Sequence, residues 1–513
     1  MPEPRTWQLA AGSAVLGLAL AAGAAGAAGP WDSGQRKAER ARAVLADDRG
    51  GAHHAGPPAA PRRPAPAPSA PGVLRALDAG TRPAAPGTTK ETTRTGDLAA
   101  VLVPLLADPG LGPLRTASVV DTTTGRQLYG EGAATPMTPA STVKIATAAA
   151  ALSALGPDHR IATTTVAAPD GRTVTLVGGG DPTLDRTRLK ALADATARAL
   201  RARGTTTPVR LTYDTSLYEG PALHPIGPNE NLAPVTALMT DEGRLDDSRS
   251  GPAPRTADPA GDTATAFADL LRTAGVTVQG TPAPGKAPKL PVTAGATGTA
   301  DDRTGGHDRA TGDDKATAAP RTAAAPAAPL ARTESAPLAD LVERTLTHSD
   351  NDLAEALARQ TALARRQPAS FAGAGKAVHD ELARLRLPLA GARFADGSGL
   401  DRNDRVSAAL LTGILTRAAD PARPALRPVL TGLPVGGFSG TLAGRFDTGP
   451  AASGAGLVRA KTGTLTGVNT LAGTVVTADG RLLAFAFLAG QTTSPYTAQP
   501  ALDRLSAALA PPR

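Results

Sequence analysis

The chain has 513 residues with 47 prolines, 56 glycines and aromatics at only 3%, so it can hold two or three domains, but much of it must be linker or loop. It has no cysteine, which excludes disulfides, thiol catalysis and Cys-ligated zinc, and none of its seven histidines falls in a His-Glu-x-x-His arrangement that would call for a metal. The net charge is +8, yet residues 31–95 alone carry eleven basic and six acidic side chains, and no basic patch interleaved with aromatics follows, so nucleic-acid binding is disfavoured.

In chain order, residues 1–30 read as an export signal: Arg5 precedes an uncharged run of Ala, Gly, Leu and Val over 7–28. That run is long enough to stay as a membrane anchor, and Ala22-Gly23-Ala24 also resembles a small-residue cleavage site. Residues 31–96, rich in Pro and Ala, cannot form a core and read as an extended tether, whose charge suits an anionic wall or membrane surface. Order resumes at 97, with a helix to 106, a strand over 116–120, a turn over 122–125 and a returning strand over 126–129. These belong to a first catalytic segment, 97–157. Thr138 and Pro139 then suit an N-cap and first helical position for a buried helix that runs to Leu155, where Gly156-Pro157 ends it.

After Gly156 the pattern changes, and 158–284 reads as an inserted, strand-rich module with strands over 161–167, 172–177 and 209–213 and helices over 184–203 and 264–274. Gly178-Gly179-Gly180-Asp181-Pro182 lacks the Gly-Lys-Ser/Thr of a phosphate loop and reads as a tight turn. Residues 285–335 are low in complexity and are expected to be a disordered insertion. Over 336–513 helices are expected at 337–347, 351–366 and 368–385, then antiparallel strands over 457–465, 469–477 and 481–490, with Asp479-Gly480 as a hairpin turn, and a closing helix over 498–509. The first hairpin and the last strands would share one antiparallel sheet, so the fold class is α+β, with helices on the sheet's faces and a module set into the chain.

Three short patterns carry chemistry. Ser141 and Lys144 are three residues apart at a helix start, so the amine can reach the hydroxyl; alone this is more often a capping serine and an incidental lysine. Ser349-Asp350-Asn351 lies between two helices, and Lys461-Thr462-Gly463-Thr464 lies in a strand; alone these read as helix-end caps and a solvated strand lysine. In this order the three form the signature of penicillin-binding proteins and serine β-lactamases. Acyl transfer then gives Ser141 the role of nucleophile and Lys144 that of base, with burial and Lys461 lowering its pKa. Ser349 passes a proton to the leaving amine, Asn351 holds the substrate amide, and Lys461 with the Thr462 hydroxyl seats a terminal carboxylate. Backbone N–H groups of Ser141 and Thr464 form an oxyanion hole, with Gly463 leaving room for close approach.

Ser141 and Ser349 are 208 positions apart, and Ser349 and Lys461 112. The long first gap, with Gly179-Gly180-Asp181-Pro182, Asp214-Thr215-Ser216-Leu217, the stretch 231–245 and Asp396-Gly397-Ser398-Gly399-Leu400, resembles the class C low-molecular-mass penicillin-binding proteins, the D-alanyl-D-alanine carboxypeptidase/endopeptidase family of peptidase S13 type. The resemblance covers about 97–513, apart from the 285–335 stretch. It implies a β-lactamase-like catalytic domain, export to the cell envelope, peptidoglycan stem peptides as substrates, β-lactams as covalent inhibitors, and no cofactor. It also implies that Asp181 and Arg402 recognise the free end of a diamino-acid side chain, although Asp401 stands where the family often has Ser. Two other readings compete: a serine β-lactamase, for which no Glu-x-x-Leu-Asn follows Ser349 before Lys461, and a wall protein that captures penicillin without catalysis.

Overall fold

The computed structural model of the protein describes residues 93–288 and 328–510. The export segment over 1–30, nearly all of the tether over 31–96 and most of the low-complexity stretch over 285–335 lie outside the described residues. Among the described residues no helix is long and apolar enough to cross a membrane.

The longest apolar run near the C-terminus explains the first layer. In β10 (Leu482–Gly490) residues point alternately to two different cores, so a strand buried on both faces carries no polar alternation. It is the middle strand of an antiparallel sheet of order β2-β1-β10-β9-β8, built from β1 (Leu114–Asp121), β2 (Gln127–Glu131), β8 (Val458–Leu465) and β9 (Val468–Val476). The register runs Leu114 opposite Gly490 and Val458 opposite Val475, so the first hairpin and the last strands form one sheet. On one face Phe485, Phe487 and Leu471 pack against α1 (Thr93–Leu106). On the other, small residues such as Ala472, Ala484 and Ala486 let the helix over Ala408–Ala419 lie close, while α2 (Lys144–Leu155), its residues 148–151 all alanine and fully buried, shares that core and packs against the helices around it.

The second sheet lies between the catalytic segments in sequence and has its own core. Its order is β6-β5-β4-β3-β7, with β3 (Ala162–Ala167), β4 (Thr173–Val177), β5 (Val209–Asp214), β6 (Val278–Pro284) and β7 (Ala328–Glu334). β4, β5 and β6 are parallel, and the crossovers contain α3 (Arg186–Ala202) and α4 (Pro259–Thr273), whose leucines and Phe267 bury one face of the sheet. β3, β4 and β5 match the expected strands to within one or two residues, but β6 runs on to Pro284, past the short Val276 to Val278 segment expected there, and the parallel pairing was not foreseen. One expectation is corrected here: the 285–335 stretch is not wholly without structure, because β7 falls inside it and pairs with β3. Its Pro and Ala content reads as linker, yet it forms an edge strand, and Pro329 sits beside a register shift, where a missing N–H costs least. The Gly178 to Pro182 segment is a tight turn as expected, with Gly180 at φ 91, which a side chain rarely adopts.

The helices that frame the site follow: α5 (Leu338–His348), α6 (Asn351–Ala364), α7 (Phe371–Arg384), α8 (Ala408–Ala419) and, at the end, α9 (Pro495–Ala507), which packs with α1 on the Phe485 face of the large sheet.

Candidate active site

The helix that carries Ser141 and Lys144 does not begin as its sequence suggests. Ala140 takes φ +48, residues 140–143 form a 3₁₀ turn, and the α-helix starts only at Lys144. Thr138 caps nothing: its hydroxyl donates to the Arg402 carbonyl. Instead the Thr142 and Thr470 hydroxyls donate to the Pro139 carbonyl, which ties the turn to β9. The tight turn has a use. At three residues per turn the side chains of residues i and i+3 eclipse, so Ser141 and Lys144 stand in line.

Lys144 is fully buried, and its Nζ has three polar neighbours: Ser141 Oγ at 2.9 Å, Asn351 Oδ1 at 2.7 Å and the Ser398 carbonyl at 2.6 Å. Burial pushes its pKa down to about 8, while the nearby carboxylates of Asp396 and Glu355 resist that fall. Facing it, Lys461 on β8 is also fully buried; its Nζ donates to Ser349 Oγ at 2.9 Å and to the Thr462 carbonyl at 2.8 Å. Burial and the charge of Lys144 hold Lys461 well below the usual lysine range. Among the described residues, neither amine has a carboxylate within ion-pair distance.

The second motif is a helix junction in which each residue has a different job. Ser349 takes a left-handed conformation (φ 59, ψ 36) that closes α5, Asp350 caps α6 by accepting the Leu353 N–H, and Asn351 is the first residue of α6. The cap is therefore Asp350, and Ser349 and Asn351 keep their side chains for the site. Asn351 accepts from Lys144 and donates its Nδ2 to the Asn231 carbonyl, in the loop between β5 and α4.

On β8, Thr462 donates to the Thr441 hydroxyl, and Thr464 is exposed at the cleft. A side chain at Gly463 would meet Thr470 Oγ1 at 2.1 Å and the Pro139 carbonyl at 2.7 Å. The glycine thus lets the strand press against the nucleophile's turn, a second reason for its absence of a side chain besides substrate approach. These groups line a cleft of about 290 Å³ that includes Ser141, Ser349, Asn351, Thr464, Asn231 and Arg255.

Five of the residues singled out from the sequence therefore meet at one cleft in two hydrogen-bonded sets, Lys144 with Ser141 and Asn351, and Lys461 with Ser349. Arg402 is exposed near the turn between β8 and β9, donating to the Thr466 carbonyl at 2.8 Å. Asp181 is buried, accepts from Thr183 and pairs with Arg188 at 2.8 Å, and is not among the residues lining the cleft.

Three groups at the site carry no signal of their own in the sequence. The Ser398 carbonyl lies in the Asp-Gly-Ser-Gly-Leu segment, where the motif is visible but a backbone role is not. Asn231 likewise acts through its carbonyl. Behind the second motif, Glu242, Asp350 and Asp352 meet Arg244, Arg255 and Arg344, with Arg255 to Asp352 at 3.1 Å, Arg244 to Glu242 at 2.9 Å, and Arg344 bonded to Glu242. Burial and the neighbouring carboxylates raise Glu242 to about 9 and Asp352 to about 7 against the pull of the guanidinium groups. Glu242 itself sits in a left-handed conformation (φ 56). His224, Glu355 and Asp396, and separately Glu242, Asp350 and Asp352, bring metal-type donors within 4.8 Å of one another. Glu355 and Asp396 already accept from backbone N–H groups, and the second set faces guanidinium groups, so a cation would have to displace those partners.

The model of the D-Ala-D-Ala carboxypeptidase 3 (S13) family matches residues 98–250 and 311–509. The chain is 35% identical over 479 residues to carboxypeptidase DacB of Mycolicibacterium smegmatis, covering 90% of this chain and 91% of that protein. It is 31% identical over 431 residues to a D-alanyl-D-alanine carboxypeptidase of an Actinomadura strain, covering 74% of this chain and 78% of the other. Among solved structures, penicillin binding protein 4 (dacB) from Haemophilus influenzae matches with a TM-score of 0.60 at 20% identity, over 80% of this chain and 97% of that one, a likeness of fold.

Proposed function

The chain belongs to the D-Ala-D-Ala carboxypeptidase 3 (S13) family, and we propose on that footing that it is a cell-envelope serine carboxypeptidase that removes D-alanine from peptidoglycan stem peptides through an acyl-enzyme on Ser141. One observation carries this reading: the three contacts of Lys144 Nζ. Asn351 Oδ1 and the Ser398 carbonyl can only accept, so they claim two hydrogens of a neutral amine, and its lone pair is left facing Ser141 Oγ. Ser141 is the one neighbour that can give a proton. The amine is thereby aimed as a base at the hydroxyl it must activate.

The steps follow from the geometry. The substrate's terminal carboxylate lies against Lys461 and Thr462, supplying the counter-charge that the buried Lys461 lacks. That contact favours charged Lys461, whose repulsion in turn favours neutral Lys144 beside it. Ser141 Oγ attacks the carbonyl of the penultimate D-alanine and its proton passes to Lys144. The oxyanion sits between the backbone N–H groups of Ser141 and Thr464. Collapse breaks the peptide C–N bond as Ser349 protonates the departing nitrogen, and Lys461 returns a proton to Ser349 across 2.9 Å. Water then attacks the ester, giving up its proton through Ser349 to the now neutral Lys461, while Lys144 returns its proton to Ser141 Oγ, so all four groups are restored. A β-lactam follows the same first half, but its leaving nitrogen stays tethered in the acyl group, so the enzyme is trapped. Arg402, at the rim, reaches the free end of a substrate side chain; Asp181 shares that role only by releasing Arg188.

The carboxylate seat is tested by comparing D-alanine release from a peptide ending in D-Ala-D-Ala with turnover of its C-terminal amide. Losing a charge-assisted hydrogen bond costs about 1.5–3 kcal/mol, so the amide is expected to be roughly 10- to 150-fold poorer in kcat/KM. Equal rates on the two peptides remove Lys461 from that role.

A pH dependence also follows. The base acts neutral, and Lys144 carries its proton below about 8. Acylation by penicillin is expected to rise about tenfold per unit from pH 6 to 7, then flatten above 8. A rate that falls as pH rises through this range contradicts a lysine base.

A further inference from the structure

One carboxylate under the site has no part in the scheme above. Glu355 lies on α6, one turn beyond Asn351, and is fully buried. Its Oε1 accepts the backbone N–H groups of both Gly397 (3.0 Å) and Ser398 (2.9 Å), while its Oε2 has no hydrogen-bond partner. The neighbouring Asp396 takes the rest of the loop: it accepts from the N–H groups of Gly399 (2.6 Å) and Asp401 (2.7 Å), from Ser398 Oγ (3.1 Å), and faces His224 Nε2 at 3.0 Å. The carbonyl these contacts fix is that of Ser398, at 2.6 Å from Lys144 Nζ. The loop is also set against the nucleophile's turn, because a side chain at Gly399 would meet the Ala140 carbonyl at 2.1 Å.

We propose that Glu355 is a positioning residue for the Ser141 and Lys144 pair: by holding two consecutive N–H groups with one oxygen it aims the Ser398 carbonyl at Lys144, and its negative charge, buried beneath that amine, sets how readily the amine loses its proton. This rests on Ser141 and Lys144 being nucleophile and base. The geometric half is direct. Glu355 fixes the two peptides before the carbonyl and Asp396, through the Gly399 N–H, the peptide that carries it; if Glu355 releases its two N–H groups Ser398 can swing, one of the two acceptors that orient the amine is lost and the lone pair is no longer confined to Ser141. The electrostatic half follows from burial of both groups, where a charge is little screened. Facing Glu355 are Asp396 and, behind it, Asp404, both carboxyls; His224 from the loop after β5; Arg359 on its own helix, clasped by the rings of Tyr218 and Phe371; and Lys144. Burial and Asp396 raise Glu355 to about 7, so at the alkaline end of the working range it carries its charge.

The two halves separate in two substitutions. Glu355→Gln keeps an acceptor oxygen for both N–H groups and removes the charge; Glu355→Ala removes both. In full-length protein, the second-order rate of acylation by a fluorescent penicillin is measured against pH. For Glu355→Gln the plateau is expected within about fivefold of the parent, with the acid limb moved to lower pH by about half a unit or more, since a missing anion makes the ammonium easier to deprotonate. For Glu355→Ala the plateau is expected to fall about 100-fold, the scale of a base displaced by about 1 Å, with affinity for substrate little changed. A Gln limb that coincides with the parent's, or an Ala variant acylated within about threefold of the parent, overturns the proposal. Should the Ala variant not fold, the Gln limb decides alone. A parent protein that takes no label, or keeps it after Ser141→Ala, instead overturns the nucleophile assignment and this proposal with it.

Discussion

Ser141→Ala is expected to take up no fluorescent penicillin and release no D-alanine, while Lys144→Met, which keeps the hydroxyl, is expected to acylate on the order of 10³- to 10⁴-fold more slowly than the parent. The first loss is complete because, among the described residues, Ser141 is the only cleft hydroxyl in contact with Lys144 Nζ, whereas Ser349 Oγ accepts from Lys461 Nζ. The second is graded because a correctly placed general base is worth about 10²–10⁴-fold, and the oxyanion hole and carboxylate seat survive its removal. Methionine fills the lysine's volume without a donor, but it strands Asn351 Oδ1 and the Ser398 carbonyl, which lose their shared partner. The measurement is the rate of label incorporation at pH 8 beside a far-ultraviolet spectrum that reports the fold. Label retained in Ser141→Ala, or Lys144→Met at parental speed, ends the assignment.

Arg255→Met is expected to destabilise the folded body by about 3–5 kcal/mol, the cost of stripping one partner from a buried ion pair. The Arg255 side chain is almost wholly buried, 3.1 Å from Asp352 and 4.0 Å from Glu242; without it Glu242 keeps Arg244 and Arg344, but Asp352 loses its one ion pair among the described residues. Because Asp352 also accepts the Ala233 N–H at 3.0 Å, and Asn351 donates to Asn231, the damage reaches the start of α6 and with it the second motif. Urea unfolding should show an earlier midpoint, and penicillin labelling should weaken with it. An unchanged midpoint means that the network is not holding the inserted module's loop against α6.

Much of this was legible in the sequence. Short apolar runs bounded by turns such as Asp479-Gly480 located the last strands of the large sheet, and the pairing of its first hairpin with them follows from both ends needing the same core. The second sheet was legible only as strands: β3, β4 and β5 are rich in Thr and Val, which favours extended chain but says nothing of which neighbour is parallel. β7 was hidden by composition, since a short Ala/Pro segment at a sheet edge looks like the linker beside it. At the site, the three motifs name side chains whose chemistry depends on type and order. Ser398 and Asn231 contribute carbonyls, which every residue has, and Glu355 contributes at a distance of 43 positions from the N–H it holds. Such partners leave no local trace.

The pairing of β1 with β10 has a temporal consequence. Thr122 and Leu482, bonded across 360 positions, and Thr470 and Pro139, bonded across 331, cannot meet until almost the whole chain exists. The second sheet can begin forming well before that, whereas the strand carrying Lys461 is among the last segments made. A chain emerging from synthesis therefore carries Ser141 and Lys144 well before Lys461 joins them, and completes the cleft in its final folding event.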